Sequence, residues 1–148
     1  MGEVVITSEA SVPFAGGEIQ AFIAAPKQED GFPAVLVIHE WWGLNDHIRD
    51  VANRLASEGF VAIAPDLFDG RVTTDAAVAG SMMMALSQQE ALAKLDATVM
   101  FIRKKGSEKV GAIGFCMGGS YALMLSVHDS NIAVSVPFYG QVPGDNIL

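Results

Sequence analysis

Val110-Gly111-Ala112-Ile113-Gly114-Phe115-Cys116-Met117-Gly118-Gly119 is the stretch on which the fold turns. Val110 to Phe115 is a short apolar run, and a second one, Tyr121 to Val127, follows the glycines. The first reads as a buried strand and the second as the body of a helix. Between them, Gly114-Phe115-Cys116-Met117-Gly118 places a nucleophilic side chain two positions from a glycine on either side. Such small neighbours let the backbone turn sharply from strand to helix, which leaves the apical side chain exposed. The helix N-terminus behind it offers unpaired N–H groups and a positive dipole end, which favour a thiolate. A lone cysteine in an apolar stretch can also serve as a small buried hydrophobe. The glycines and the strand-before, helix-after context favour the reactive reading.

Outward from this turn, the same alternation repeats. Pro33 to His39 is a β-branched run bounded by Gly31 and Gly43 and reads as a buried parallel strand. Ile48, Val51, Ala52 and Leu55 then share one helical face, which Gly59 ends. Phe60 to Ala64 is another buried strand, stopped by Pro65-Asp66, and Asp69-Gly70 marks a turn. Residues 72–87 are ambiguous, with a short helix possible through Met82-Met83-Met84, whose methionines suit adaptable packing better than a cofactor contact. Leu92, Leu95, Val99 and Ile102 form a second helical stripe, closed by Arg103, Lys104, Lys105 and Gly106. Ile132 to Tyr139 is one more strand. At the start, Val4 to Ile6 and Glu18 to Ala25 read as strands joined through Pro13 to Gly17, with Gly16-Gly17 as a hairpin signal. Strands alternating with helices predict an α/β fold, a mostly parallel sheet with helices on both faces.

The composition narrows the class. The chain has 148 residues, enough for one domain with a core. A net charge of −8 argues against a nucleic-acid partner. A single cysteine cannot form an internal disulfide, which fits a reducing, cytoplasmic setting. The segment Met1 to Ser11 carries Glu3 and Glu9 and no long apolar run, unlike a secretory signal. No apolar run is long enough to span a bilayer, so no membrane association is expected.

His39-Glu40-Trp41-Trp42-Gly43 ends the strand that starts at Pro33. Functional groups collect at the carboxyl ends of such strands, the same sheet edge that carries Cys116. Glu40 and Cys116 are therefore expected to meet. The backbone N–H groups of Trp41 and Met117 are the matching oxyanion-hole candidates, since that loop and the residue after the nucleophile supply them. Such donors are typically worth a few kcal/mol of barrier each. His39, one residue from Glu40, faces the other way in an extended strand. Left alone, Glu40 would read as a solvated loop carboxylate, and one of the two tryptophans as core.

With these residues in place, the chain resembles the dienelactone hydrolase family of α/β-hydrolases. The resemblance runs through V-I-H-E-W-W-G-L-N, A-P-D-L-F, G-F-C-M-G-G and P-F-Y-G, in order from about Val35 to Gly140. It implies a Cys-His-Asp triad with Cys116 as nucleophile and Glu40 contacting the thiol and taking part in its activation. It also implies small ester or lactone substrates and no metal or organic cofactor. Trp42 and Tyr139 become substrate-binding candidates.

Two departures accompany the resemblance. Family members acting on anionic dienelactones hold the carboxylate with arginines, yet Val72 to Glu90 contains no Arg or Lys. Arg71 is the nearby candidate, and it reads more readily as a solvated loop charge. The histidine after Cys116 is His128, twelve residues along the expected helix and about 18 Å away, too far to act as base. Asp129 fails likewise, and Asp145 lies early for the acid. The sequence therefore predicts a single domain over residues 1–148, an incomplete hydrolase fold lacking its last strands and helices. Its expected function is that of a cysteine ester or lactone hydrolase, impaired for want of the triad's Asp and His. The alternatives are a non-catalytic fragment that self-associates through an open sheet edge at Ile132 to Phe138, and a thiol redox sensor, which lacks a resolving cysteine.

Overall fold

The computed structural model describes residues 2–28 and 31–144. The apolar runs become the centre of one sheet: β3 (Ala34–Ile38), β4 (Val61–Pro65) and β5 (Val110–Phe115), flanked by β1 (Val5–Phe14), β2 (Gly17–Pro26) and β6 (Ile132–Phe138). The helices are α1 (Asp46–Ser57), α2 (Ala76–Ala85), α3 (Gln88–Lys104) and α4 (Met117–His128). The strand order is β1-β2-β4-β3-β5-β6. β3 pairs in parallel with β4 and β5, and β5 with β6, while β1, β2 and β4 pair antiparallel.

Successive strand residues face opposite ways, and in the central strands both sets are apolar. Ile23, Leu36, Ile38 and Ile63 pack with Leu95, Val99 and Ile102 of α3 and Leu125 of α4. Phe22, Ala24, Val37, Ala62 and Ala64 pack with Ile48, Ala52 and Ala56 of α1. Helices therefore cover both faces, as the alternation predicted. Each fully buried branched side chain contributes about 1.5–3 kcal/mol.

Local chemistry sets the helix starts. Asn45, Asp75 and Ser87 each accept a hydrogen bond from a first-turn N–H of α1, α2 and α3. The ambiguous segment at 72–87 thus contains a capped helix, α2. Its residues are apolar all round, yet only Ala79 and Met82 are buried, so no periodic stripe advertises it. β1 extends well past the predicted Val4–Ile6 and pairs with β2 from Val5↔Pro26 to Phe14↔Gly17. Its polar outer face hid it, since Val12 alone of its residues is buried.

Lys94 is buried within the α3 stripe. Its ammonium lies 3.0 Å from Glu90 and 3.5 Å from Asp69, and stands over the Phe14 ring. β6 lies at the end of the strand order, and Val134, Val136 and Phe138 are exposed on it. Among the described residues no helix is long and apolar enough to cross a membrane.

Candidate active site

Strand register brings the candidate residues together. Ile38 pairs with Gly114, and Phe115 with Phe138. Glu40, Cys116 and Tyr139 therefore leave three neighbouring strands at one edge of the sheet. The chain passes from β3 to β4 on one side, whereas β5 lies on the other side of β3. Ligands of open α/β sheets bind at such a reversal, outside the carboxyl ends of the strands.

Cys116 has φ 57° and ψ −121°, a conformation that costs a residue with a Cβ about 1–3 kcal/mol. Its surroundings impose it. The Cys116 N–H donates to the Phe138 carbonyl at 3.0 Å, and its own carbonyl accepts from Gly119 and Ser120. A Cβ on Gly118 would overlap the carbonyls of Ile38 and His39, and one on Gly114 would overlap the Gly118 carbonyl. The first turn of α4 thus lies directly on the backbone of β3 and β5. The Cys116 side chain is half-buried and caps nothing, so its sulfur is uncommitted at the positive end of α4.

The loop after β3 is held equally closely. The Gly43 N–H donates to the Glu40 carbonyl at 3.1 Å, closing a turn over the two tryptophans. Gly43 has φ 95°, and a Cβ there would overlap the Arg71 carbonyl. Thr73 N–H donates to the Trp42 carbonyl. Trp41 packs partly buried against the core and edge-on to Trp42, with ring centroids 5.2 Å apart. Among the described residues, neither the Trp41 nor the Met117 N–H has a backbone or side-chain acceptor, as an oxyanion hole requires. Arg71 contributes its backbone to the loop's support. Its side chain is exposed and lines a cleft with Phe68, Asp69, Met82 and Glu90, a wall that contains neither Cys116 nor Glu40.

Tyr139 is 70% exposed with φ 37°, and its hydroxyl donates to Glu40 Oε2 at 3.0 Å across 99 sequence positions. Partial desolvation pushes its phenol above the ordinary 10. The hydrogen bond to Glu40 and the charge of that carboxylate act in the same direction. Sequence reasoning nominated Tyr139 for substrate and missed this bond. The usable signal was Tyr139-Gly140: a Cβ on Gly140 would stand 2.5 Å from the Ser120 nitrogen. The loop after β6 must therefore graze the first turn of α4.

None of the three histidines contacts Cys116. His39 is fully buried, and its Nε2 accepts the Leu67 N–H at 3.0 Å. Its Nδ1 consequently carries the proton and donates to the Glu40 carbonyl at 2.7 Å. Burial lowers its pKa, against the opposing pull of that carbonyl and of Asp66. His128 ends α4 and lies 2.8 Å from Asp96. Burial raises the Asp96 pKa there, partly offset by His128. His47 lines a groove with Phe115 and Phe138 on the α1 face. Asp145 lies outside the described residues. Among those residues no group of three or more ligating side chains could hold a metal ion.

The reversal of strand order at β3, the strained turn at Cys116 and the facing loop define an α/β-hydrolase fold. Residues 19–148 match the model of the dienelactone hydrolase family, and the chain belongs to that family. It is 32% identical to an Escherichia coli (strain K12) protein provisionally named carboxymethylenebutenolidase, over 99% of this chain and 57% of that protein. It superposes on the crystal structure of a Klebsiella pneumoniae protein provisionally named dienelactone hydrolase. That match has a TM-score of 0.89 and 31% identity, over 97% of this chain and 63% of the other. A dienelactone hydrolase-like promiscuous phosphotriesterase from metagenomic libraries matches with a TM-score of 0.84 and 26% identity, over 96% and 62% of the two chains. The chain thus spans somewhat over half the length of the relatives it matches.

Proposed function

We propose that this chain carries the nucleophile and oxyanion site of a cysteine hydrolase for small esters or lactones. The observation that supports this most is the backbone of Cys116. A non-glycine residue is held at φ 57° by two flanking glycines whose Cβ positions are occupied by neighbouring backbone. Strain of this kind collects where a side chain must be presented.

In the proposed reaction, the Cys116 sulfur attacks the acyl carbonyl and the carbonyl electrons move onto oxygen. The N–H groups of Trp41 and Met117 receive that oxyanion. Its collapse expels the alcohol, which takes up the thiol proton, and leaves a thioester on Cys116. Water then releases the acid and restores the thiol. Glu40 takes part in activating the thiol once substrate enters, as the family resemblance implies. Trp42 borders the acyl position, and Arg71 is at most a peripheral contact.

Acylation should outpace deacylation, because among the described residues His39 and His128 are engaged elsewhere. The thiol is intrinsically nucleophilic, whereas water needs a general base, and losing one typically costs 10²–10⁴-fold. Mixing the chain with p-nitrophenyl acetate should release at most one equivalent of p-nitrophenolate, and mass spectrometry should find one acetyl group on Cys116. Cys116→Ala should lose both signals. A burst of equal size in Cys116→Ala would place the nucleophile elsewhere.

A further inference from the structure

The bond between Tyr139 and Glu40 crosses the nucleophile. β5 lies between β3 and β6 in the sheet, so a link from the end of β3 to the end of β6 spans two strand spacings, roughly 10 Å. Cys116 follows the strand in the middle. Three features show that this crossing is built in. Tyr139 has a positive φ, one of only three such non-glycine residues described, and Cys116 is another. Gly140 provides the clearance that brings the Tyr139 loop against α4. The Glu40 backbone carbonyl is fixed twice, by His39 and by Gly43, whereas its carboxylate has one protein tether among the described residues, the Tyr139 hydroxyl.

We infer that Tyr139 is a positioning residue: its hydroxyl holds the Glu40 carboxylate off the Cys116 thiol, so the thiol can ionise. This rests on the proposed role of Cys116 as nucleophile. A carboxylate that accepts the S–H proton stabilises the thiol and disfavours the thiolate. A carboxylate engaged by a phenol has less need of that donor. The ionisable group bonded to the Glu40 carboxylate is the Tyr139 phenol from the loop after β6, and the Cys116 thiol leaves the neighbouring strand β5 at the same sheet edge. The His39 ring, from its own segment, takes the backbone carbonyl instead. The raised phenol pKa of Tyr139 keeps the hydroxyl a donor throughout the neutral range.

The test is the rate of Cys116 alkylation by iodoacetamide against pH. Cys116 is the only cysteine, so no other thiol contributes. Four chains are compared: unaltered, Tyr139→Phe, Glu40→Gln and the double variant. Tyr139→Phe should slow alkylation roughly three- to tenfold near neutral pH and move its midpoint upward, as a half to one unit of thiol pKa requires. Glu40→Gln should accelerate it. The double variant should behave as Glu40→Gln within about twofold, because without the carboxylate the hydroxyl has nothing to hold. A merely structural role for Tyr139 would persist in the Glu40→Gln background and would leave the midpoint unmoved. Either result overturns the inference, as does faster alkylation in Tyr139→Phe. Loss of the Glu40→Gln effect, with Cys116 labelling no faster than in the unfolded chain, overturns the nucleophile assignment and this inference with it.

Discussion

A Cβ on Gly118 would collide with the carbonyl of Ile38, so the start of α4 and the end of β3 touch backbone to backbone. That contact fixes the distance between two segments that leave the sheet side by side, one carrying Cys116 and the other Glu40. The α4 N-terminus cannot withdraw without breaking the packing of β3 against β5. Positional control of the thiol is therefore a property of the sheet rather than of a mobile loop.

Gly118→Ala should consequently be among the most damaging single-methyl additions in the chain. The obstructing atoms are backbone carbonyls of a central strand and cannot rotate away. The expected loss is about 3 kcal/mol or more, at the upper end of overpacking costs. Gly70→Ala is the control. Gly70 has a positive φ, of 84°, whereas Gly118 lies within α4, and a Cβ at Gly70 meets nothing within 4 Å. Its cost should stay near 1 kcal/mol, the ordinary penalty of that backbone conformation. Urea unfolding of the two variants measures the difference, and equal losses would show that the close approach is illusory.

Cys116 should be a site where stability and chemistry oppose each other. Glycine adopts φ 57° without the penalty borne by a side chain, while its unfolded state has more freedom to lose. The half-buried cysteine side chain has little packing to forfeit. Cys116→Gly should therefore be more stable than Cys116→Ala by about 1 kcal/mol, since alanine keeps the backbone strain that glycine relieves. Both variants lack the thiol, so chemistry does not confound the comparison. Thermal unfolding at one pH is sufficient, and an alanine variant as stable as the glycine one would remove the argument for stored strain.

What the sequence made legible follows from how local each signal is. Residues 110–119 could be read because a buried strand, a glycine-flanked turn and a helix start are all written within ten neighbouring positions. β3, β4 and α1 were readable for similar reasons. Only the start of β1 and its turn into β2 were, because an outer strand with one wet face shows too few apolar residues to declare its full length. α2 was not, because an evenly apolar segment has no face to detect. Lys94 breaks the α3 stripe, and only the fold reveals its carboxylate partners, Glu90 and Asp69. The bond from Tyr139 to Glu40 depends on Phe115 pairing with Phe138 and Ile38 with Gly114. No short window of sequence contains that information. His39 could be placed facing away from Glu40 by strand alternation, but its partner Leu67 lies across the sheet and was invisible.

His39 gives the chain a specific acid sensitivity. Both ring nitrogens are committed, Nδ1–H to the Glu40 carbonyl and Nε2 as acceptor from Leu67 N–H. Protonating Nε2 would destroy the second bond and place a charge in a fully buried site, which is why burial lowers the pKa below 6.5. The unfolded chain, with its histidine near 6.5, binds the proton more readily than the folded one. Stability from this group is therefore complete above about pH 6.5 and falls as pH drops toward the folded-state pKa, by at most about 1.4 kcal/mol per pH unit. His39→Leu removes that dependence. At pH 7.5 it should be the less stable protein by about 1–3 kcal/mol, because the buried Leu67 N–H loses its acceptor. Between pH 6.5 and 5 the unaltered chain should lose stability faster than the variant, and the gap should narrow. Urea midpoints at pH 7.5, 6.5, 5.8 and 5 test this directly. A constant gap across that range would mean that His39 binds its proton equally well in the folded and unfolded chains, and that burial does not oppose its charging.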